Sequence, residues 1–385
     1  MKIAIPKERR PNETRVAASP DTVKKYVGFG FDVAVEKGAG AGSSFTDEAF
    51  KQVGATIAAD AKATLKDADI VLKVARPMMK DEGTDEVALL PKGATLVCQL
   101  AALQNKPLAE ALAKAGVDAF AMELMPRISR AQSMDILSSQ SNLSGYKAVV
   151  DAAAAFTKCF PMMMTAAGTV APARVLVFGA GVAGLQAIAT AKRMGAVVYA
   201  TDVRPATREQ VESLGGKFVV VDEEAEKQAE TAGGYAKDLG DEYRKKQAEV
   251  MSEQIAKADI IITTALIPGK PAPKLVTAEQ VKSMKTGSVI VDLAGETGGN
   301  CELTEYGKTV TKHDVTIISP ANMPATVARD ASTLFAKNLL NFLTPFVDKE
   351  AGKVAFDWED DLVKGTLIAR DGKVVHSALT GSGGN

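Results

Sequence analysis

Short apolar runs alternate with longer amphipathic segments along most of the chain, which is the pattern of strands and helices in an α/β protein. In the N-terminal third, the apolar runs predict strands at residues 2–5, 32–35, 70–74, 95–98 and 118–121. The segments between them predict helices near residues 21–26, 47–53 and 107–115. Because strands and helices alternate, we expect this region to form an α/β layer structure of its own.

The remainder of the chain repeats the pattern between two long helices. Further strands are predicted at residues 175–178, 197–200, 217–220, 259–262, 288–291 and 316–318, and a hairpin at 366–369 and 373–376. Residues 139–156 and 325–343 have the length of long helices. We expect the second helix to carry the chain back to the first domain. The expected domains are then residues 1–138 with 328–385, and residues 139–327.

Length, charge and cysteine content narrow the class of protein. A chain of 385 residues favours two domains. Because 46 basic residues balance 47 acidic ones, neither nucleic acid nor an anionic membrane is an expected partner. The three cysteines are widely separated, so no disulfide framework or zinc site is expected, and a reducing cytoplasm fits. No signal peptide and no transmembrane segment are predicted.

A glycine turn follows the apolar run at residues 175–178. Gly179 permits a tight turn, Gly181 lets a pyrophosphate approach the backbone, and Gly184 lets the next helix pack close to the sheet. The N-terminus of that helix then offers N–H groups to phosphates. A dinucleotide-binding βαβ unit is therefore predicted, and a merely structural turn is the alternative. The expected fold class is α/β, with two Rossmann-like domains of parallel sheet, joined by long helices, and a cleft between them.

Asp202 ends the next apolar run, about 20 residues beyond the glycines. A carboxylate at this position accepts hydrogen bonds from the adenosine ribose and would repel a 2′-phosphate. NAD(H) is therefore the expected ligand rather than NADP(H). Arg204 weakens that expectation, because a guanidinium could accommodate a phosphate.

Residues 222–249 are densely charged and are interrupted by two glycines and Tyr235. Two interpretations stay open. One is a solvated helical insert. The other is a lid near residues 222–240, in which the glycines form a hinge and Tyr235 packs over a bound nucleotide.

Few residues could act on a substrate directly. His313 and His376 lie in no promising cluster, so histidine acid–base catalysis is not expected. The chemistry would then be that of the cofactor, hydride transfer at the nicotinamide. By the switch-point rule, the nicotinamide would lie near the segments that follow the later strands, at residues 264–266, 292–296 and 319–324.

Two further loops, one polar and one glycine-rich, could have a functional or a structural role. The loop at residues 127–138 contains Arg127 and Asp135, which could orient a carboxamide or pair with each other, and the hydrogen-bonding residues Gln132 and Ser138. Its spacing alone fits a functional loop and a surface loop equally well. A second glycine-rich stretch, residues 38–43, also follows a strand, but no helix begins within it. We expect it to be a structural loop.

Several motifs resemble one known superfamily in the right order along the chain. They are IPKE at residues 5–8, NETRVA at 12–17, KGAG at 37–40, LKV at 72–74, the glycine turn, and ANMPA at 321–325. These segments resemble the alanine dehydrogenases and the NAD(P) transhydrogenase α subunits. The resemblance covers essentially the whole chain.

The substrate site separates the two branches of that superfamily. Alanine dehydrogenases carry a Lys, a His and an Asp that bind and protonate the keto acid. Those positions align here with Ala75, Gln99 and Glu296, whereas Arg15 remains. The sequence RISRAQSMD at residues 127–135 and the GGY of the predicted lid instead resemble the NAD(H)-binding component, domain I, of proton-translocating transhydrogenases.

That resemblance implies a site and an assembly. Arg127, Asp135 and Ser138 would hold the nicotinamide, and Gln132 would lie between two nucleotides. The residues expected to bind NAD(H) are Gly179, Gly181, Val182, Gly184, Asp202, Val203, Arg204, Tyr235, Thr264, Ala265 and Leu266. Hydride would pass directly to NADP⁺ on a separate NADP(H)-binding domain, coupled to proton translocation by membrane-spanning subunits. The chain would be a homodimer, held through these partners on the cytoplasmic face of the inner membrane.

Two other functions stay open. One is an NAD-dependent alanine or other amino-acid dehydrogenase, which turnover of NADH with pyruvate and ammonium by the chain alone would favour. The other is a non-catalytic NAD-binding module that senses redox state, which would bind NADH and transfer no hydride.

Overall fold

The computed structural model describes residues 1–204, 206–221, 240–267 and 270–381, and for residues 240–244 it describes the backbone alone. The chain divides into two compact units. The first unit comprises Met1–Gln140 with Pro324–Asn385, and the second comprises Ser141–Met323. The domain boundaries expected from the sequence lie within a few residues of these positions, and the function of each domain stays a prediction.

The strands are short, and most are apolar. In chain order they are β1 (Lys2–Ile5), β2 (Asp32–Glu36), β3 (Thr56–Ala58), β4 (Ile70–Leu72), β5 (Thr95–Cys98), β6 (Asp118–Ala121), β7 (Met163–Thr165), β8 (Gly168–Val170), β9 (Arg174–Phe178), β10 (Val197–Thr201), β11 (Lys217–Phe218), β12 (Ile260–Thr263), β13 (Val289–Asp292), β14 (Lys308–Lys312), β15 (Val315–Ser319), β16 (Val347–Asp348), β17 (Lys353–Val354), β18 (Leu367–Arg370) and β19 (Lys373–Val374).

Three of the described α-helices are long, α5, α8 and α10, and the sequence predicts long helices at two of these places, α5 and α10. In chain order the helices are α1 (Pro20–Gly28), α2 (Asp47–Gln52), α3 (Ala61–Leu65), α4 (Lys106–Ala115), α5 (Ile136–Ala155), α6 (Val182–Arg193), α7 (Thr207–Ser213), α8 (Gly240–Lys257), α9 (Ala278–Ser283), α10 (Ala328–Leu343), α11 (Asp361–Thr366) and α12 (Ser377–Thr380). Among the described residues, no helix combines the length and the apolar character that a membrane span requires.

The first unit is built on an eight-stranded sheet with the order β19-β18-β6-β5-β4-β1-β2-β3. Strands β1 to β6 are parallel, whereas β18 and β19 extend the sheet in antiparallel pairing. Ile3 and Ile5 belong to a core on one face, with side chains of α1, α2 and α10. Ala4 belongs to a core on the other face, with side chains of α3 and α4. Apolar strands covered on both faces are typical of parallel sheets.

The second unit has a seven-stranded sheet with the order β11-β10-β9-β12-β13-β15-β14, in which only β14 is antiparallel. Val175 and Val177 of β9 pack with α5, α6 and α7 on one face. Leu176 and Phe178 pack with α8 and α9 on the other. The order of strands reverses between β9 and β12, which is the switch point where ligands bind in such sheets.

The expected fold class is confirmed, because both sheets are dominated by parallel strands with helices on their two faces. The C-terminal hairpin also forms, with Ala369 opposite Val374. The sequence pattern did not indicate the antiparallel hairpin of β7 and β8. Its residues are almost all exposed, so it lacks the alternation of buried and exposed positions that marks a strand. The cleft between the domains stays a prediction.

Candidate functional site

The glycine turn begins where the central strand β9 of the second unit ends. Gly179 has φ +96°, a backbone conformation that side chains other than glycine rarely adopt. A Cβ at this position would also lie 2.5 Å from Oγ1 of Thr264. The Gly179 N–H donates to the carbonyl of Thr201 at the end of β10 (2.9 Å), so the turn is tied to the neighbouring strand. Only glycine fits the first position of the turn.

The other two motif glycines differ in what surrounds them. A Cβ on Gly184 would overlap the carbonyl oxygen of Gly179, so α6 packs against the turn too closely for any side chain there. A Cβ on Gly181, by contrast, would meet no described atom nearer than Nη2 of Arg204, at 4.0 Å. Among the described residues, nothing fills the space over Gly181, and no described side chain caps the start of α6. Open backbone at a helix N-terminus fits the diphosphate of a dinucleotide.

Asp202 follows β10 directly, and only 6% of its side chain is exposed. Its Oδ2 accepts from the backbone N–H of Ala180 (2.7 Å) and from Nη2 of Arg204 (2.8 Å). Its Oδ1 accepts from the backbone N–H and from Nε of Arg204, both at 2.9 Å. Burial raises the pKa of this carboxyl, but the hydrogen bonds from Arg204 and Ala180 outweigh burial and lower it. The carboxylate is therefore charged at neutral pH and is bound to the glycine turn.

The segment after β12 is held by a residue that the sequence did not single out. Both backbone groups of Ala265 bond to the Asn300 side chain: its Oδ1 accepts from the Ala265 N–H (3.0 Å), and its Nδ2 donates to the Ala265 carbonyl (2.9 Å). Thr264 donates through Oγ1 to the carbonyl of Phe178 (3.1 Å). The predicted site residues Thr264 and Ala265 are thus fixed beside the glycine turn, whereas Leu266 is 58% exposed.

Asp292, the last residue of β13 and the first of the candidate stretch at residues 292–296, is fully buried. Its carboxylate accepts from the hydroxyls of Thr263 (3.0 Å) and Thr304 (2.6 Å), and from the backbone N–H groups of Ala294 and Cys301 (3.0 Å each). Because these donors occupy the carboxylate from inside the protein, Asp292 ties the ends of β12 and β13 together and is not available to a substrate.

The loop at residues 127–138 belongs to the first unit, and its middle segment, Ser129–Met134, is a 3₁₀ helix. Arg127 and Gln132 are exposed. The carboxylate of Asp135 accepts from the backbone N–H (2.9 Å) and the hydroxyl (2.6 Å) of Ser138, an arrangement that satisfies a donor in the first turn of α5. Two of the three residues that the resemblance assigns to the nicotinamide, Asp135 and Ser138, are therefore paired with each other.

Three residues distant in sequence fix this loop from outside. The guanidinium of Arg130 makes two parallel hydrogen bonds to the carboxylate of Asp360, both at 2.8 Å. The side-chain amides of Asn338 and Asn341 each donate to the backbone carbonyl of Ser133 at 2.9 Å. Nothing in the sequence pattern indicated these contacts, since each partner lies about 200 residues or more along the chain.

The remaining predicted residues fall into two groups. Val182, at the start of α6, and Val203, beside Asp202, are 41% and 69% exposed. Tyr235 and the predicted lid near residues 222–240 lie outside the described residues, apart from Gly240 at the start of α8. Among the residues that the structure describes, no group of three or more His, Cys, Asp or Glu side chains is arranged to hold a metal ion.

The strand order, the glycine turn and the acid after β10 define a Rossmann-type α/β protein. Residues 4–144 match the N-terminal domain, and residues 148–377 the C-terminal domain, of the family described as alanine dehydrogenase/PNT. The chain belongs to the alanine dehydrogenase/PNT family.

Individual relatives narrow the resemblance further. An NAD(P) transhydrogenase subunit alpha chain of Rhodospirillum rubrum is 67% identical over 383 residues, covering 100% of both chains. The crystal structure of transhydrogenase from Sinorhizobium meliloti has a TM-score of 0.88 and 50% identity, covering 97% of this chain and 100% of that one. Alanine dehydrogenase of Halomonas elongata is 32% identical, covering 98% of this chain and 96% of that one. The resemblance inferred from the sequence motifs is confirmed.

Proposed function

We propose that this chain is the NAD(H)-binding component of a proton-translocating transhydrogenase. It acts as an oxidoreductase in a complex, in which hydride passes between NADH on this chain and NADP⁺ on a partner domain. A membrane component couples this transfer to proton translocation. The observation that carries the proposal is the 67% identity, over the whole chain, to a transhydrogenase α subunit. The open glycine turn supports it, since the residues present fit a dinucleotide.

In this proposal the second unit binds the nucleotide. Gly181 and the uncapped start of α6 receive the diphosphate, and Asp202 recognises the adenosine ribose. Thr264, bonded to the Phe178 carbonyl, and Ala265, fixed by Asn300, form the adjoining wall. Bound NADH supplies a hydride from its nicotinamide.

Residues of the loop at 127–138 would orient the reacting end. Arg127, Asp135 and Ser138 hold the nicotinamide, and Gln132 lies between the two nucleotides. Hydride transfer between nicotinamides requires proximity and alignment rather than an acid or a base. That requirement fits the structural role of His376, which accepts from the N–H of Ala378 at the start of α12.

The contacts of Arg15 argue against an alanine dehydrogenase function. Its guanidinium donates to the carboxylate of Glu13 through Nε (2.8 Å) and Nη2 (2.7 Å), and to Gln140 through Nη1 (2.9 Å). A substrate carboxylate would have to displace a buried Glu, since Glu13 and Arg15 are 3% and 6% exposed. The partner residues of such a site are also replaced by Ala75, Gln99 and Glu296.

The proposed assembly is a homodimer. The hairpin of β7 and β8 pairs only within itself among the described strands, and Met162 and Met164 beside and within it are 59% and 79% exposed. Exposed apolar groups of this kind mark interaction surfaces. Sedimentation equilibrium should find a dimer for the natural chain and a larger monomer fraction for Met164→Lys; an unchanged dimer would exclude the hairpin from the interface.

We further propose that the NADP(H)-binding domain and the membrane-spanning subunits are separate partners. They would hold the chain on the cytoplasmic face of the inner membrane. Binding of the chain to membrane vesicles that contain these subunits, and not to vesicles of the same lipids without them, would support this arrangement. Equal binding to both would contradict it.

The decisive experiment is stopped-flow hydride transfer from NADH on this chain to NADP⁺ on a purified transhydrogenase NADP(H)-binding domain. Rapid transfer that requires both proteins is the expected result. Arg127→Ala and Gln132→Ala should slow this transfer far more than they weaken NADH binding. NADH binding without transfer to a competent partner would overturn the proposal, and turnover with pyruvate and ammonium by the chain alone would favour an amino-acid dehydrogenase.

A further inference from the structure

The carboxylate of Asp202 has no acceptor position left for a ribose hydroxyl. A carboxylate offers about four lone-pair sites. Four hydrogen bonds already reach it, one from the N–H of Ala180 and three from Arg204. With only 6% of the side chain exposed, a further donor has no unoccupied approach. Ribose recognition by Asp202 therefore requires that an existing donor leave.

The guanidinium of Arg204 is the donor best able to leave. The other two donors are backbone N–H groups of the glycine turn and of Arg204 itself, which cannot move without rebuilding the chain. The Arg204 side chain, in contrast, is 39% exposed, and its long stem can change rotamer. Its departure would free one position on each carboxylate oxygen.

The position of Arg204 also indicates which anion its guanidinium would bind after leaving Asp202. Its Nη2 is the nearest described atom to the space over Gly181, 4.0 Å from the Cβ that a side chain there would carry. That space is the one proposed above for the diphosphate. A guanidinium that leaves a carboxylate loses two charge-assisted hydrogen bonds, and a diphosphate beside it offers equivalent ones. A neutral hydroxyl alone offers no such replacement.

We propose that Arg204 is a specificity-determining residue that exchanges one anion for another when a nucleotide binds. In the unliganded chain its guanidinium occupies Asp202; on binding it transfers to the diphosphate, and Asp202 is released to the ribose. The exchange makes recognition of the ribose depend on the presence of phosphate, so the site favours dinucleotides over nucleosides. This inference rests on the proposed function, because it takes the glycine turn as the nucleotide site.

The test measures binding of adenosine and of ADP, by calorimetry or by displacement of NADH, to the full chain and to Arg204→Ala. Removing the guanidinium should let adenosine bind at least about threefold more tightly, because Asp202 then has acceptor positions to spare, and ADP about tenfold more weakly. These opposite signs distinguish exchange from a simple phosphate contact, which predicts no gain for adenosine. A weaker or unchanged affinity for adenosine would overturn the proposal.

A second variant and a matched control complete the design. Arg204→Lys keeps the charge but cannot occupy both carboxylate oxygens, so adenosine should gain affinity while ADP loses less than in Arg204→Ala. This variant decides the matter if Arg204→Ala does not fold. Arg193→Ala removes the same charge from the exposed, opposite end of α6 and should change neither affinity.

Measurements on the natural chain distinguish a failure of the proposed function from a failure of the exchange by Arg204. If it binds neither NADH nor ADP, the proposed function fails together with the exchange. If it binds NADH and transfers hydride to its partner, but adenosine gains nothing in either Arg204 variant, only the role of Arg204 is lost.

Discussion

The parallel strands follow the same order in the two units, but the turn after the first of these strands differs. In each sheet the first parallel strand is an interior strand, and the next two strands follow it toward one edge, in the order β1-β2-β3 in the first unit and β9-β10-β11 in the second. Both also have an acid at the end of the second strand that accepts from a backbone N–H after the first: Asp202 from Ala180 (2.7 Å), and Glu36 from Lys7 (2.9 Å). Each acid is further bonded by an arginine, Arg204 or Arg9.

The two units differ in where the next helix begins and in how much space the glycines leave open. In the second unit α6 begins at Val182, directly after the turn, whereas in the first unit the next helix, α1, begins only at Pro20. Two glycines of the glycine-rich stretch at residues 38–43 also have no room for a side chain: a Cβ on Gly40 would lie 2.6 Å from the carbonyl oxygen of Phe45, and one on Gly42 2.5 Å from that of Thr14. A parallel sheet with an acid is therefore not enough for a phosphate site; an open glycine at a helix N-terminus is required.

The largest effect that this comparison predicts is the loss of NADH affinity when Gly181 is replaced. Gly181→Ala should leave the free energy of unfolding within about 0.5 kcal/mol of the natural value, because the added Cβ meets no described atom closer than 4.0 Å. It should lower NADH affinity by roughly ten- to a hundredfold, since the methyl group occupies the proposed diphosphate position. Urea unfolding and calorimetric titration measure the two quantities.

The matched control is Gly28→Ala in α1, where an added Cβ also meets no described atom within 4 Å. It should alter neither stability nor NADH affinity appreciably. Full NADH affinity in Gly181→Ala would mean that the open space is not the phosphate site, and the difference between the two units would then have no functional meaning.

The next effect concerns the two acids. Asp202→Ala should weaken NADH binding by about 1–3 kcal/mol, because the ribose loses a charged acceptor. Glu36→Ala makes the same change at the corresponding strand end of the first unit, where the acid accepts from Lys7 and Arg9. It should reduce stability without changing the affinity for NADH. Comparable losses of affinity in both variants would show that neither acid recognises the ligand directly.

The sequence was sufficient to predict those parts of the fold and of the candidate site that depend on neighbouring residues alone. Strands such as β9 and β12 are short apolar runs because both of their faces are buried, and the steric need for glycine at 179 and 184 arises from the turn itself. The order of strand, turn, helix and acid then fixes the candidate site, since these elements follow one another within about 30 residues in such a unit.

The contacts that complete the site could not be predicted in this way. Asn300 holds Ala265 from 35 residues away, and Asp360 holds Arg130 from 230 residues away. Such pairs join separate elements and leave no periodic trace in the sequence. The occupancy of Asp202 is different: Arg204 is only two residues distant, but whether its side chain turns toward the carboxylate depends on a rotamer that the pattern does not specify.

Replacing Gly42 of the first unit should have the smallest effect on NADH affinity. It contrasts most sharply with Gly181, because only stability should change. Gly42→Ala should destabilise the chain by roughly 1–3 kcal/mol, because the new Cβ would press against the carbonyl oxygen of Thr14 in a packed loop. The folded fraction should bind NADH with unchanged affinity, since the glycine serves packing rather than a ligand. Unfolding in urea and titration below the transition measure both. If affinity fell while the fold stayed intact, the glycine-rich loop of the first unit would have to be assigned a role in binding, and the open turn after β9 would no longer distinguish the two units.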